Sequence, residues 1–511
     1  MTAAEETSFN IADYAIGRVA RRTPGKIALL VHDTHSPDRP TESWTFAEIE
    51  DAILRLAAGL SARGLKRGDR IAIRLGNSSQ SALLFFAAMA AGFIALPLSD
   101  QLTATELKML LADSGAAAIA TSAQLAPDIV SAGTLVLTSD DIASFMRGPA
   151  RASYAPTIEN DPAFLIYTSG TTSKPKGVLH AHRSALGRKP MYQGWYGITP
   201  DDRMLHAGAF NWTFTLGVGL TDPWANGATA IVCTGDKSPE LWPALIAHTG
   251  ATLFAAVPGV YRQIMKYARP EPGSLGNLRH GLMAGETPPP GLIEEWMAAT
   301  GLPLYEALGM SEISTYISTG PSVPYRPGTV GKPQAGRRVA ILPAEGSDAP
   351  LPSGEEGLIA VHRSDPGLML GYWNRPDEET EVLRGDWFVG GDLGAIDSDG
   401  YVTHLGRANE LMNAGGYRVS PLEIEAALAA FPGVAEVACS EIRIRSDVSI
   451  IGAFIVGNDQ MPRDAAAIRA FAAERLAAYK VPKEIVFIDK LPRTPNGKVQ
   501  RKALTALVHS K

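Results

Sequence analysis

Apolar side chains at Ile49, Ile53, Leu56 and Leu60 repeat close to every 3.6 residues, the period of a helix that lays one face on a core. Gly64 and Gly68 then interrupt the chain, and the short run IAIRL at 71–75 predicts a strand. The longest apolar stretch, ALLFFAAMAAGFIALPL at 82–98, contains Gly92 and Pro97, so it predicts a buried helix followed by a strand rather than a membrane span. Further short strands are expected at 163–167, 228–233 and 253–257, each set off by helical or glycine- and proline-rich segments. This alternation predicts a large α/β domain.

The texture changes near 400–416, where the turn-rich segment SDGYVTHLGR runs through ANE into a glycine pair, and a domain boundary is expected there. SPLE at 420–423 predicts a capping box with proline at the first helical position, and Ile424, Leu428 and Phe431 mark the buried face of that helix. Strands at 434–439 and 452–456, a helix at 465–479 and a strand at 485–488 complete a compact C-terminal unit. At 511 residues the chain exceeds what one core normally supports, so two or more domains are expected in any case.

Composition narrows the class. Hydrophobic residues make up 45% and charged residues 20%, as in a globular enzyme. The net charge of −6, from 47 basic and 53 acidic residues, argues against nucleic acid as the main partner. Cys233 and Cys439 offer neither a disulfide framework nor a metal-ligand spacing, and the polar, acidic start MTAAEETSFN has no signal-like run. A cytoplasmic enzyme without a membrane partner is the expectation.

The chemistry concentrates first in YTSGTTSKPKGV at 167–178. Gly170 and Gly177 let backbone amides approach an anion, Thr168, Ser169, Thr171, Thr172 and Ser173 donate hydroxyl hydrogen bonds, and Lys174 and Lys176 add charge. The run suits phosphate, yet it is not a Walker loop, because Lys176 precedes its glycine instead of following one.

Downstream lie EALGMSE at 306–312, GDLG at 391–394, GRAN at 406–409 and PNGK at 495–498. Together with the phosphate loop, in this order and spacing, they resemble the adenylate-forming superfamily of acyl-CoA synthetases, carrier-protein-loading adenylation domains and beetle luciferases. The resemblance runs from WTFAEIE at Trp44 to the terminal PNGKVQRKAL. It implies a large N-terminal multi-sheet α/β domain, 1–407, and a small mobile C-terminal α+β domain, 408–511, carrying a catalytic lysine. It also implies two half-reactions: carboxylate and ATP give an acyl-adenylate and pyrophosphate, and a thiol then displaces AMP.

Residue by residue, the resemblance assigns the β- and γ-phosphates to Thr168, Ser169, Gly170, Thr171, Thr172 and Lys176, and further phosphate contacts to Ser311 and Arg418. Glu312 would hold Mg2+, a hard cation suited to one carboxylate plus phosphate oxygens. Ala284, Gly285 and Glu286 form the adenine-side loop, and Asp392 and Arg407 contact the ribose. Lys498 would bridge the carboxylate and the α-phosphate, Gly415 and Gly416 would line the coenzyme A tunnel, and Asn409, followed by Glu410, stands at the hinge where many members have aspartate. The PNGK context also resembles a lysine-acetylation site of bacterial relatives. A regulatory lysine acetyltransferase and a homodimer are therefore the protein partners left open.

The acyl pocket implied by the resemblance borders 206–219, with Phe210, Asn211 and Trp212 as wall and gate and Leu308 standing where an aromatic residue commonly precedes the glycine. His180, His182 and His206 are further polar candidates, His182 as a structural one. No arginine or lysine occurs at 206–222, which favours a short- or medium-chain or simple aromatic monocarboxylate over a dicarboxylate. The expected activity is that of an acyl-CoA synthetase using ATP, Mg2+ and coenzyme A. A stand-alone enzyme loading a carrier protein and a non-catalytic nucleotide-binding homologue are the alternatives.

Overall fold

The computed structural model describes residues 8–168, 175–410, 412–414, 417–445, 448–458, 461–493 and 499–507. It divides into two compact units, one of Met1–Gly285, Ile293–Arg338 and His362–Asp386, the other of Glu286–Leu292, Val339–Val361 and Trp387–Lys511.

The first unit carries two sheets among its described residues. The nine-stranded sheet runs Lys332–Pro333, Ser314–Ser318, Leu304–Met310, His280–Ala284, Leu253–Ala256, Arg203–His206, Thr229–Thr234, Ile27–Asp33, Ser36–Thr45. From Leu304–Met310 to Ile27–Asp33 its neighbours are parallel, so His206, Ala284 and Met310 all end strands at one edge, the carboxyl edge where open α/β sheets bind ligands. The seven-stranded sheet contains Pro162–Thr168 antiparallel to Lys176–Ala181, which brings both flanks of the phosphate loop together.

The helices expected from periodicity are present. Phe46–Ala62 starts on a capping box in which the Thr45 amide donates to Glu48 Oε2 at 2.7 Å, and it buries Phe46, Ile49, Ile53, Leu56 and Leu60. Ser79–Ala90 is buried almost all round and hands over to the strand Ile94–Pro97. No described helix is long and apolar enough to cross a membrane.

Two buried ion pairs brace the first unit. Arg188 forks onto Asp222 at 2.7 and 2.6 Å, with Tyr196 also donating to Asp222 at 2.7 Å, and Arg337 meets Asp365 at 2.9 Å. Burial alone would make such pairs costly, so each carboxylate collects several donors.

The second unit contains Val339–Leu342 antiparallel to the strand Gly357–His362, all but the last residue of which belongs to it, the hairpin of Trp387–Ile396 with Val402–Arg407, and a three-stranded sheet of Val434–Arg445, Val448–Gly457 and Glu484–Phe487. Helices Pro421–Ala429 and Ala465–Ala473 pack on that sheet through Ile424, Leu428, Ile468 and Ala472. Arg501 is held between Glu425, at 3.0 Å from Oε2, and Glu410, at 3.5 Å.

Two local expectations fail here. Ser420 makes no cap: its hydroxyl donates to the Leu405 carbonyl at 2.5 Å, while Glu423 pairs with Lys480 at 2.5 Å, so both members of the expected box are engaged elsewhere. The helix expected at 465–479 stops at Ala473, because Leu476 turns into the core and Pro482 forbids helical continuation beyond the short turn Ala478–Lys480.

Candidate active site

In the first unit, EALGMSE forms the strand Leu304–Met310 and the tight turn after it. Met310 pairs with Ser314 across the hairpin, leaving Ser311, Glu312 and Ile313 as the loop. Several groups fix this loop. His180 Nε2 donates to the Ser311 carbonyl at 2.8 Å, the Tyr372 hydroxyl donates to Glu312 Oε1 at 2.8 Å, and the Met369 amide donates to the Glu312 carbonyl at 2.7 Å. Burial pushes the His180 pKa down to about 4, so the ring is neutral and its one proton sits on Nε2 to make this bond. The Glu312 carboxylate is held in place yet partly exposed, the arrangement a cation-holding carboxylate needs.

Thr168 and Lys176 are register partners at the mouth of the phosphate loop, with the Thr168 hydroxyl 3.5 Å from the Lys176 carbonyl. Lys176 forms an ion pair with Glu378 and lies over the Tyr372 ring at 5.3 Å, so the lysine, Tyr372 and Glu312 form one cluster. Ala284 ends its strand, and Gly285 follows at φ +97°, a left-handed turn that a side chain would strain.

The acyl segment starts at the end of Arg203–His206. Asn77 braces it from both sides, accepting from the Phe210 amide at 3.0 Å and donating to the Gly208 carbonyl at 2.8 Å. Phe210 is buried, whereas Asn211 and Trp212 are partly exposed just ahead of the helix Thr213–Leu216. His206 packs edge-on to Phe214 at 4.5 Å and accepts from the Gly208 amide through Nδ1 at 2.8 Å, which gives it a structural task. His182 likewise accepts from the Ile11 amide at 3.0 Å. Two cations absent from the segment itself reach it from elsewhere: Lys237 lies 3.5 Å from the Ala207 carbonyl, and the Arg188 guanidinium packs against Gly217. The lack of basic residues within 206–222 is thus no measure of the charge around it. Leu308 is partly exposed on the strand before the turn, and Glu306, two residues earlier, is buried with its pKa pushed up to about 8 by burial.

In the second unit, Asp392 is 2% exposed and faces Arg407 across the hairpin, with Arg407 Nε 3.0 Å from Oδ1. His404 Nε2 lies 3.1 Å from the same oxygen, and Arg407 also donates to the Gly390 carbonyl at 2.6 Å. Glu286 belongs to this unit and is partly buried. Asn409 lies in the turn Ala408–Glu410 and Arg418 in the strand Tyr417–Val419; their side chains, and all of Ser169, Gly170, Thr171, Thr172, Gly415, Gly416 and Lys498, lie outside the described residues.

No chemical motif marks Tyr372 or His404: Tyr372 reaches Glu312 from 60 residues away, and His404 reaches Asp392 across its own hairpin. Among the described residues no cluster of three histidine, cysteine or acidic side chains could hold a metal by itself, so a cation at Glu312 would need phosphate oxygens as well.

Comparison with known proteins identifies the family. Residues 16–373 match the family described as AMP-binding enzyme, and residues 423–498 match the AMP-binding enzyme C-terminal domain. A 3-hydroxybenzoate-CoA ligase of Aromatoleum sp. (strain CIB) is 29% identical over 483 residues, covering 91% of this chain and 92% of the relative. The acetyl-coenzyme A synthetase of Bacillus subtilis (strain 168) is 29% identical over 531 residues, covering 97% and 90%. The solved structure of a benzoate CoA ligase from Burkholderia xenovorans LB400 has a TM-score of 0.86 at 27% identity and covers 97% of this chain and 100% of that one. With its AMP-binding region matched over most of its length and its motifs in the superfamily's order, the chain belongs to the AMP-binding enzymes of the adenylate-forming superfamily.

Proposed function

We propose that this protein is an AMP-forming acid-thiol ligase that activates a short- or medium-chain or simple aromatic monocarboxylate and transfers it to coenzyme A. The observation that carries this reading is the family match on both parts of the chain, joined to relatives that are acid-CoA ligases along nearly their whole length.

In the first half-reaction a carboxylate oxygen of the acid attacks the α-phosphorus of ATP and pyrophosphate leaves. Thr168, the loop residues Ser169 to Thr172 and Lys176 hold the outer phosphates, with Ser311 and Arg418 as further phosphate contacts. Ala284, Gly285 and Glu286 border the adenine, and Asp392 accepts hydrogen bonds from the ribose hydroxyls beside Arg407. Two anions meet in this step, so Lys498 supplies positive charge where negative charge accumulates. Magnesium bound to Glu312 would add neutralising charge on the phosphates.

In the second half-reaction the coenzyme A sulfur, having lost its proton, attacks the acyl carbonyl carbon, and AMP leaves with the anhydride oxygen. Residues 408–511 would turn about Asn409 between the steps, exchanging Lys498 for the face with Gly415 and Gly416. Phe210, Asn211, Trp212 and Leu308 shape the acyl pocket. Bulky aromatic walls suit an acid of limited length.

The test is a panel of carboxylic acids assayed for acid-dependent pyrophosphate release and for coenzyme A thioester. Acid-dependent pyrophosphate with thioester is expected for at least one aromatic or short acid. No pyrophosphate with any acid would refute the reading, and adenylate without thioester would point to a carrier protein as acceptor.

A further inference from the structure

Arg188 lies at the junction of two parts of the first unit that the reaction needs. Through Nε and Nη2 it forks onto Asp222, three residues beyond the end of the acyl segment at Gly219, and through Nη1 it donates to the Ser314 hydroxyl at 2.5 Å, at the close of the turn that carries Ser311 and Glu312. Only an arginine fork can make these contacts together, since a lysine ammonium is a single point of charge.

Both ends of this tie are unusually tight. Ser314 has φ +75°, a left-handed conformation that glycine adopts freely and serine does not, and it pairs with Met310 where the hairpin loop 311–313 closes. Gly217, in the acyl segment, lies so close to the guanidinium that an added Cβ would stand 2.1 Å from Nη2 and 2.2 Å from Cζ. One small internal cavity is lined jointly by Thr213 and Gly217 of the acyl segment, by Ile313 and Ser314 of the turn, and by Arg188 and His180. Beside it Arg337 donates to the Gly187 carbonyl at 2.5 Å and to the Thr315 carbonyl at 3.1 Å, so the residues preceding Arg188 and following Ser314 are joined as well. Apolar residues of similar volume would hold a core at this junction at least as well as buried charges, so the ion pair suits a demand for fixed geometry better than one for stability.

We propose that Arg188 is a positioning residue that ties the acyl segment to the Ser311–Glu312 turn, so that the packing of the acyl segment sets where the Glu312 carboxylate stands. This rests on the adenylation reading, in which Glu312 serves the phosphates and 206–219 borders the acid.

The experiment uses the full chain with Ser314→Gly, Arg188→Lys and the double variant. Ser314→Gly removes the hydroxyl and suits the backbone angle, so its thermal midpoint stays at the wild-type value. Pyrophosphate release is measured against acid, ATP and Mg2+, and hydrogen exchange is followed at the amides of the turn. In Ser314→Gly, kcat falls about tenfold and the Mg2+ needed for half-maximal rate rises severalfold, while KM for the acid moves less than about twofold. Exchange at the Glu312 and Ile313 amides rises. Arg188→Lys shows the same split, and the double variant is no slower than Arg188→Lys alone, as two cuts in one tie should be. Unchanged turn exchange in Ser314→Gly overturns the inference whether or not the protein is active. So do losses that multiply in the double variant, or a wild-type kcat and Mg2+ requirement. A wild-type protein that releases no pyrophosphate with any acid refutes the adenylation reading instead, while the exchange measurement still decides whether the tie exists.

Discussion

Arg407 stands opposite Asp392 across the second unit's hairpin, its Nε 3.0 Å from Asp392 Oδ1, and His404 reaches the same oxygen at 3.1 Å. In a regular strand two residues three apart point to opposite faces. Here the pairing passes from Asp392 with Arg407 to Gly394 with His404, so the second strand carries one extra residue. Gly406, at φ +100°, absorbs it in a bulge and lets both side chains serve one carboxylate.

Asp392→Ala is expected to lower kcat/KM for ATP on the order of a hundredfold, with a much smaller change in KM for the acid. Initial rates of pyrophosphate release at varied ATP check this. Equal effects on both substrates would contradict a ribose role.

Glu312→Gln should raise the Mg2+ requirement and cut pyrophosphate release strongly, whereas Tyr372→Phe removes one hydrogen bond to the carboxylate and should cost about tenfold. A Mg2+ titration of both variants distinguishes the holder of the cation from its support. A Tyr372→Phe enzyme with an unaltered Mg2+ curve would show that the 2.8 Å contact does not serve the site.

Buried Glu306 titrates near 8 in the folded chain, above the ordinary 4.5, so the folded state binds its proton more tightly than the unfolded state. Stability attributable to this group therefore falls as pH rises from about 4.5 to 8 and levels off above. Glu306→Gln should raise the thermal midpoint at pH 9 and have little effect at pH 4. A gain that is the same at both values would refute the assignment.

Burial moves His180 and His182 the other way, down to about 4 from 6.5. Their neutral forms are the folded ones, so stability is complete above pH 6.5 and is lost as pH falls toward 4. His182→Asn, whose amide oxygen can accept from the Ile11 amide in place of Nδ1, should flatten the decline of the thermal midpoint between pH 6.5 and 4.5. A decline as steep as in the wild type would exclude His182 as its source.

Glu425→Gln leaves the partly buried Arg501 guanidinium without its main counter-charge and should destabilise the C-terminal unit by about 1.5–3 kcal/mol. Chemical denaturation followed by hydrogen exchange within 417–493 reads this directly. A loss below about 1 kcal/mol would mean that Glu410 suffices.

Much of this was legible along the chain. The helix at Ile49 to Leu60 and the strand-and-helix alternation of the first unit follow local periodicity, and the chemical motifs are short and contiguous. What was hidden depends on pairings across long separations or on parity. Tyr372 meets Glu312 from 60 residues away and Arg188 meets Ser314 from 126. His404 joins Asp392 only because of the bulge at Gly406, which alternation rules do not anticipate. The Ser420 cap failed for the converse reason: a local motif lost its hydroxyl to a carbonyl supplied by tertiary structure, 15 residues back.

Lys176 is already matched to Glu378. A phosphate that takes this lysine therefore releases a carboxylate, and binding there becomes an exchange of one anion for another. Added salt then acts on the difference between two anions rather than on a bare cation. Selectivity at this position then comes from the greater charge of a polyphosphate over a single carboxylate: weakly charged anions are turned away by a competitor the chain carries with it.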